Sequence, residues 1–128
     1  MKNLIKFENY NQPEQFFIVG YGLGGGFGGI QNYEVFKVES RDLAETYAWE
    51  KACEEYESYA GMHGLRTIDD IMDEDEVEYD EAEEIFNEER ESWLDYVVLD
   101  FNEKNLKKVS GYHFHNHYEE ETSKLLNK

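Results

Sequence analysis

Three groups of side chains in this sequence have types and spacings that could do chemistry, and each also has a plain structural explanation. The first is acidic. Residues 69–91 carry 14 carboxylates against a single base, Arg90. On a helix, Asp80, Glu81, Glu84, Glu88 and Glu91, with Glu78, Glu83 and Glu89, would wrap most of the surface not used by Ala82, Ile85 and Phe86, with Asp73 and Asp75 just ahead of them. A helix rises about 1.5 Å per residue, and duplex DNA carries one charge per roughly 1.7 Å of axis. A rigid acidic helix can therefore imitate a phosphate row for a protein that grips nucleic acid. The plain explanation is a solvated face that aids solubility. Asp73, Asp75 and Glu84 fit positions 1, 3 and 12 of a calcium-binding loop. However, Val77 stands at the third ligand position and Glu78 where the sharp turn needs glycine, so no specific calcium loop is expected.

The second group is the segment Gly20 to Ile30, with seven glycines up to Gly29 and the apolar residues Tyr21, Leu23 and Phe27 among them. Gly20-x-Gly22-x-x-Gly25 formally matches a dinucleotide-binding fingerprint. That fingerprint needs a helix after the loop to hold the pyrophosphate, and here a strand-like stretch follows. Tyr21, Leu23 and Phe27 either anchor a partner or ligand or fold back onto the domain's own core. The third group is His113-x-His115-x-His117. On a strand these imidazoles share one face and are metal-ligand types. Equally, they are the exposed side of a strand whose core side is Tyr112, Phe114 and Tyr118. His63, in Gly61-Met62-His63-Gly64, is read as a helix-end residue meeting terminal carbonyls. Cys53 sits mid-helix among carboxylates that disfavour its thiolate, and no catalytic grouping stands out. The expectation is a non-enzymatic protein without a cofactor.

Composition narrows the classes. The 128 residues carry a net charge of −18. Residues 40–100 hold 22 of the 30 acids and four of the 12 bases (Arg41, Lys51, Arg66 and Arg90), so the whole −18 lies there and the flanks sum to zero. This balance disfavours direct contact with a nucleic-acid backbone or an anionic membrane and favours a basic partner. The lone cysteine forms no internal disulfide, which fits a reducing compartment. Neither an apolar leader after Met1 nor a bilayer-length apolar run is present, so a cytoplasmic address is expected.

The elements that must position these groups follow from periodicity. Phe16–Val19 reads as a buried strand, and Asn32–Glu39 alternates with period two, so the glycine segment joins a long hairpin. Ser40 is a good N-cap for a helix from Arg41 to about Ala60, which Gly61 and Gly64 can end. Thr67 and Asp70 resemble a capping box opening a short helix from Ile68 to about Asp73. Val77–Tyr96 reads as a third helix, Val97–Phe101 as a strand and 102–105 as a turn, and a further strand is expected within Leu106–Tyr118. Residues 119–128 are a short helix or a frayed tail. The order implies a single α+β domain over residues 1–128, a small antiparallel sheet of hairpin and C-terminal strands covered on one face by two to three helices from the middle of the chain.

The glycine segment 20–29, the stretch Tyr47–Gly64 and Glu91-Ser92-Trp93-Leu94-Asp95-Tyr96 together resemble short acidic accessory proteins encoded by tailed bacteriophages. The resemblance covers about residues 16–97 and brings no catalytic motif with it. It implies a protein made in a bacterial cytoplasm that inhibits a host enzyme or a defence nuclease. The leading expectation is thus an inhibitor whose acidic helices mimic nucleic acid for a basic, nucleic-acid-binding protein. The alternative is a small-molecule or nucleotide-binding protein using the glycine loop, for which a homo-oligomer with the loop at a subunit interface would be suitable.

Overall fold

The computed structural model describes residues 13–126. It is an α+β fold in which four strands form one mixed sheet, β1 (Gln15–Leu23), β2 (Gly29–Val38), β3 (Leu94–Asp100) and β4 (His113–His115), ordered β3-β1-β2-β4. β1 pairs antiparallel with β2 and with β3, whereas β4 runs parallel to β2. The sheet is therefore not wholly antiparallel. The helices are α1 (Arg41–Tyr59), α2 (Ile68–Asp75), α3 (Tyr79–Trp93), α4 (Glu103–Val109) and α5 (Glu119–Leu126). No helix among the described residues is long and apolar enough to cross a membrane.

Alternation along β1 divides the interior into two layers. Phe17 and Val19 pack on Ala44 and Ala48 of α1. Small alanines at these positions let the helix lie close to the sheet. Leu23 continues this side into a cluster with Tyr56, Leu65, Ile71, Ala82 and Phe86, which binds α2 and α3 to α1. Ile18, on the opposite side, packs with Val35, Leu106 and Val109, and Phe114, Tyr118 and Leu125 complete that cluster. Helices thus cover both sheet faces, not one, because α4 and α5 supply the second layer.

Local signals explain most boundaries. The Ser40 hydroxyl accepts from the Leu43 N–H at 3.3 Å. Thr67 and Asp70 form the expected reciprocal capping box: the Thr67 N–H donates to the Asp70 carboxylate and the Thr67 hydroxyl accepts from the Asp70 N–H. Hydrogen bonding to Thr67, through its backbone N–H first and then its side chain, holds the Asp70 carboxyl below its ordinary value. Two expectations fail. The third helix ends at Trp93, and Leu94–Tyr96, read as helical, begin β3 because they pair with Leu23, Gly22 and Tyr21. Tertiary pairing outweighs the helical period there. The expected 102–105 turn instead opens α4, and the strand expected within 106–118 is the three-residue β4. Asn102 Oδ1 caps α4 by accepting from the Asn105 N–H at 2.8 Å, Glu103 pairs with Lys107, and Leu106 and Val109 share the buried side at helical spacing. At the C-terminus, residues 119–126 form a helix with Thr122 buried rather than a frayed tail; 127 and 128 lie outside the described residues.

Candidate functional site

α1 lies chiefly over β1 and β3 and leaves the same face of β2 and β4 open on one side. A single row of α1 residues, Tyr47, Lys51, Glu55 and Tyr59, faces this opening at four-residue spacing. Tyr47 stacks on Phe36 of β2, with centroids 3.9 Å apart. Its hydroxyl donates to Glu34 Oε1 at 2.6 Å, and the Tyr21 hydroxyl donates to Glu34 Oε2 at 2.8 Å. Glu34 is only 8% exposed, so both carboxylate oxygens are satisfied inside the protein, as a buried charge requires. Burial first, and then the bond to Glu34, push both phenols well above their ordinary value. The Lys51 ammonium lies 5.7 Å from the Tyr21 ring centroid. One turn on, the Asn32 amide donates to Glu55 Oε2 at 3.4 Å, and burial raises the Glu55 carboxyl despite that bond.

Beyond Glu55 the opening widens into a cleft of about 340 Å³ lined by Leu23, Phe27, Gly29, Gln31, Asn32, Glu55, Tyr59 and His113. A β-bulge shapes its floor. The β1–β2 register slips between Tyr21, opposite Asn32, and Gly22, opposite Ile30, so Gln31 is the extra residue. Phe27 separates this cleft from a second hollow of about 380 Å³ lined by Gly26, Phe27, Tyr59, His63 and Trp93. The Phe27 ring stands edge-on to Trp93 at 5.6 Å and tilted to Tyr59 at 5.3 Å.

The glycine segment is therefore not an exposed loop carrying three anchors. Tyr21 and Leu23 are 7% and 1% exposed and belong to β1, while Phe27 packs half-buried on the core. The fingerprint glycines serve the sheet. A Cβ on Gly20 would meet the Tyr33 ring at 2.5 Å, and one on Gly22 would collide with the Gly29 carbonyl. Gly25 opens a single 3-10 turn that runs into β2, not the helix a pyrophosphate needs. His63 does not cap α1 but lies edge-on to Phe27 and Tyr59. His113 and His115 sit opposite Asn32 and Glu34 in the parallel ladder, on the cleft side, and His117 lies beyond the end of β4. All three imidazoles are exposed. Among the described residues no three His, Cys, Asp or Glu side chains gather closely enough to hold a metal. The Cys53 thiol is buried, and burial lifts it to about 11.

The acidic side chains occupy a separate surface. Asp73, Asp75, Asp80, Glu81, Glu84, Glu88 and Glu91 are all exposed. The last five span about 100° of the α3 circumference, away from Ala82 and Phe86. Glu81, Glu84, Glu88 and Glu91 succeed one another at roughly 4.5–6 Å along the axis. None of the four bases of this segment faces them squarely. Arg41 pairs with Asp100 and donates to the Val98 carbonyl. Lys51 faces Tyr21 and Glu54. Arg66 ties Asp75 of α2 to Glu89 of α3. Arg90 lies over Trp49 and Phe86. Asp75 and Glu91 are partly engaged, the latter by the Trp49 indole N–H at 2.8 Å. Asp73 and Asp75 lie within α2, so they are not loop ligands.

Sequence reading missed Glu34, Asn32 and Glu55. The Tyr47-Lys51-Glu55-Tyr59 repeat was the available signal, but its tyrosines read as core and its charges as solvated. Compared with protein-family models, with curated proteins and with solved structures, the chain matches none.

Proposed function

We propose that this protein is an accessory interaction protein that binds and inhibits a basic, nucleic-acid-binding host or defence protein, with α2 and α3 offering carboxylates where that protein expects phosphates. The observation that carries this reading is the use of bases. All four cations of residues 40–100 are engaged within the chain, and Asp73, Asp80, Glu81, Glu84 and Glu88 have no ion-pair partner among the described residues. A solvated face made only for solubility is ordinarily of mixed sign. Here the field is of one sign on a helix braced by Arg66 and by the cluster around Ile71 and Phe86. Such a field steers a basic partner and gives binding that weakens with salt. The resemblance to phage accessory proteins supports a bacterial cytoplasm as the setting.

The test is capture from bacterial lysate at low and high salt, with and without duplex DNA as competitor, using the native chain and the triple variant Glu81→Lys, Glu84→Lys, Glu88→Lys. The expected result is a nucleic-acid-binding protein retained at low salt, displaced by DNA and not retained by the variant. Retention unchanged by the three reversals would overturn the reading.

A further inference from the structure

The cleft between α1 and β2 is built around a carboxylate that has no cation. Glu55 is half-buried, its carboxylate accepts from the Asn32 amide with no other partner among the described residues, and none of the described Lys or Arg side chains lines the cleft. Glu34, its neighbour in the same groove, shows the contrast: two phenols complete it, and it needs nothing more. Lys51, the one base on this row of α1, is directed instead to Tyr21 and Glu54. Leu23, Phe27 and Tyr59 supply the apolar and aromatic part of the lining that Glu55 shares. The bulge at Gln31 places a further amide at the rim, where its Nε2 donates to the Gly28 carbonyl at 3.0 Å. A half-desolvated anion between aromatic rings is the usual setting for a cation carried on an apolar stem, since the rings attract the charge and cover the stem. An anionic ligand meets no Lys or Arg among the lining residues and a protein of net charge −18.

We infer that this cleft is a binding site for an organic cation, an ammonium or guanidinium on an apolar stem, with Glu55 as counter-charge and Phe27 and Tyr59 as walls. Asn32 holds the carboxylate in place, and His113 closes the β4 side. The site is separate from the α3 surface, and the inference does not rest on the proposed function. The cation can belong to a free amine or to an arginine or lysine side chain, and the two sources share the same chemistry.

Calorimetric titration of the full chain with n-butylguanidinium and n-butylamine, against n-butanol and butyrate, tests it. The cations should bind and the neutral and anionic analogues should not. Glu55→Gln should weaken the cations by about tenfold or more, the strength of a half-buried charge pair, and Phe27→Ala should weaken them as well. Glu57→Gln, an exposed neighbour on the same helix, should leave them unchanged. Because glutamine keeps the Asn32 contact, Glu55→Gln should retain the native circular dichroism spectrum and melting transition. The triple α3 variant should bind the cations as well as the native chain does, which separates this site from the decoy reading. An acetylated, amidated Gly-Arg-Gly peptide distinguishes the sources: binding at least as tight as butylguanidinium identifies a side chain, and binding of the free amine alone identifies a small ligand. Equal affinity for butanol and butylguanidinium, cation binding untouched by Glu55→Gln, or no binding of any cation would overturn the proposal.

Discussion

Glu34 and Glu84 carry the same carboxylate, and the molecule treats them in opposite ways. Glu34 is enclosed at the sheet with two phenolic donors aimed at its oxygens. Glu84 projects from α3 with no partner among the described residues and with like charges on either side. The first is a charge whose desolvation the fold has compensated, and its removal would strand the donors. The second contributes little or even negatively to stability, since like charges one turn apart repel. Retaining a row of such residues makes sense only for solubility or for something outside the chain. The comparison separates the region that specifies the fold from the region available for interaction.

The largest expected effect sharpens this division from the core side. Ile71 is fully buried and joins α2 to α1 and α3. Ile71→Ala should cost about 3 kcal/mol by loss of burial and cavity formation, measured by urea unfolding, and should weaken capture by the acidic surface without changing a single charge. Glu34→Ala should come next, at about 2 kcal/mol, because the Tyr21 and Tyr47 hydroxyls lose their acceptor while buried. It also has a pH signature. Both phenols are raised above 10 in the folded state, so they favour folding up to pH 10, and that contribution is lost progressively as pH rises further. Removing Glu34 should flatten the alkaline part of the stability curve.

A smaller effect tests the other region. The Tyr56 hydroxyl is buried between α1 and α3 with no hydrogen-bond partner among the described residues. Tyr56→Phe should therefore stabilise the protein by about 1 kcal/mol, again read from urea unfolding. If it destabilises instead, the acidic helices are held by a polar contact as Glu34 is, and the contrast between the regions fails. The triple reversal on α3 should shift stability least, by about 0.5 kcal/mol or less in total and upward at low salt, where repulsion is strongest. The Cys53 thiol, buried and raised to about 11, should react with an aromatic disulfide reagent at neutral pH only after unfolding.

Much of the fold was legible because its determinants are local. Ser40, Thr67 and Asp70 announce helix starts by capping chemistry, and Asn32–Glu39 announces a strand by alternation. The boundary at Trp93 was not legible, since Leu94–Tyr96 continue a helical pattern and become strand only by meeting β1. The helix α4 is hidden in the sequence because Asn102 has the chemistry of a turn residue as well as that of an N-cap. The acidic surface could be read from charge alone. The groove could not, because Glu34, Asn32 and Glu55 look like ordinary polar positions until β2 and α1 are set side by side and the bulge at Gln31 opens the cleft.

The junction of α3 with β3 has a consequence for which changes of length the chain can accept. Helix passes to strand at Leu94 without an intervening loop, and the Trp93 carbonyl is already held by the Gly24 N–H at 2.8 Å. One residue inserted there would turn every following side chain of β3 to the opposite face, setting Val98 away from α1 and Leu99 away from α4. The turn at Gly61–Gly64 is exposed and joins two helices, so an insertion there shifts no strand register, as one at the Trp93–Leu94 joint would. Variants that gain or lose single residues should therefore accumulate at the turn and be purged at the joint.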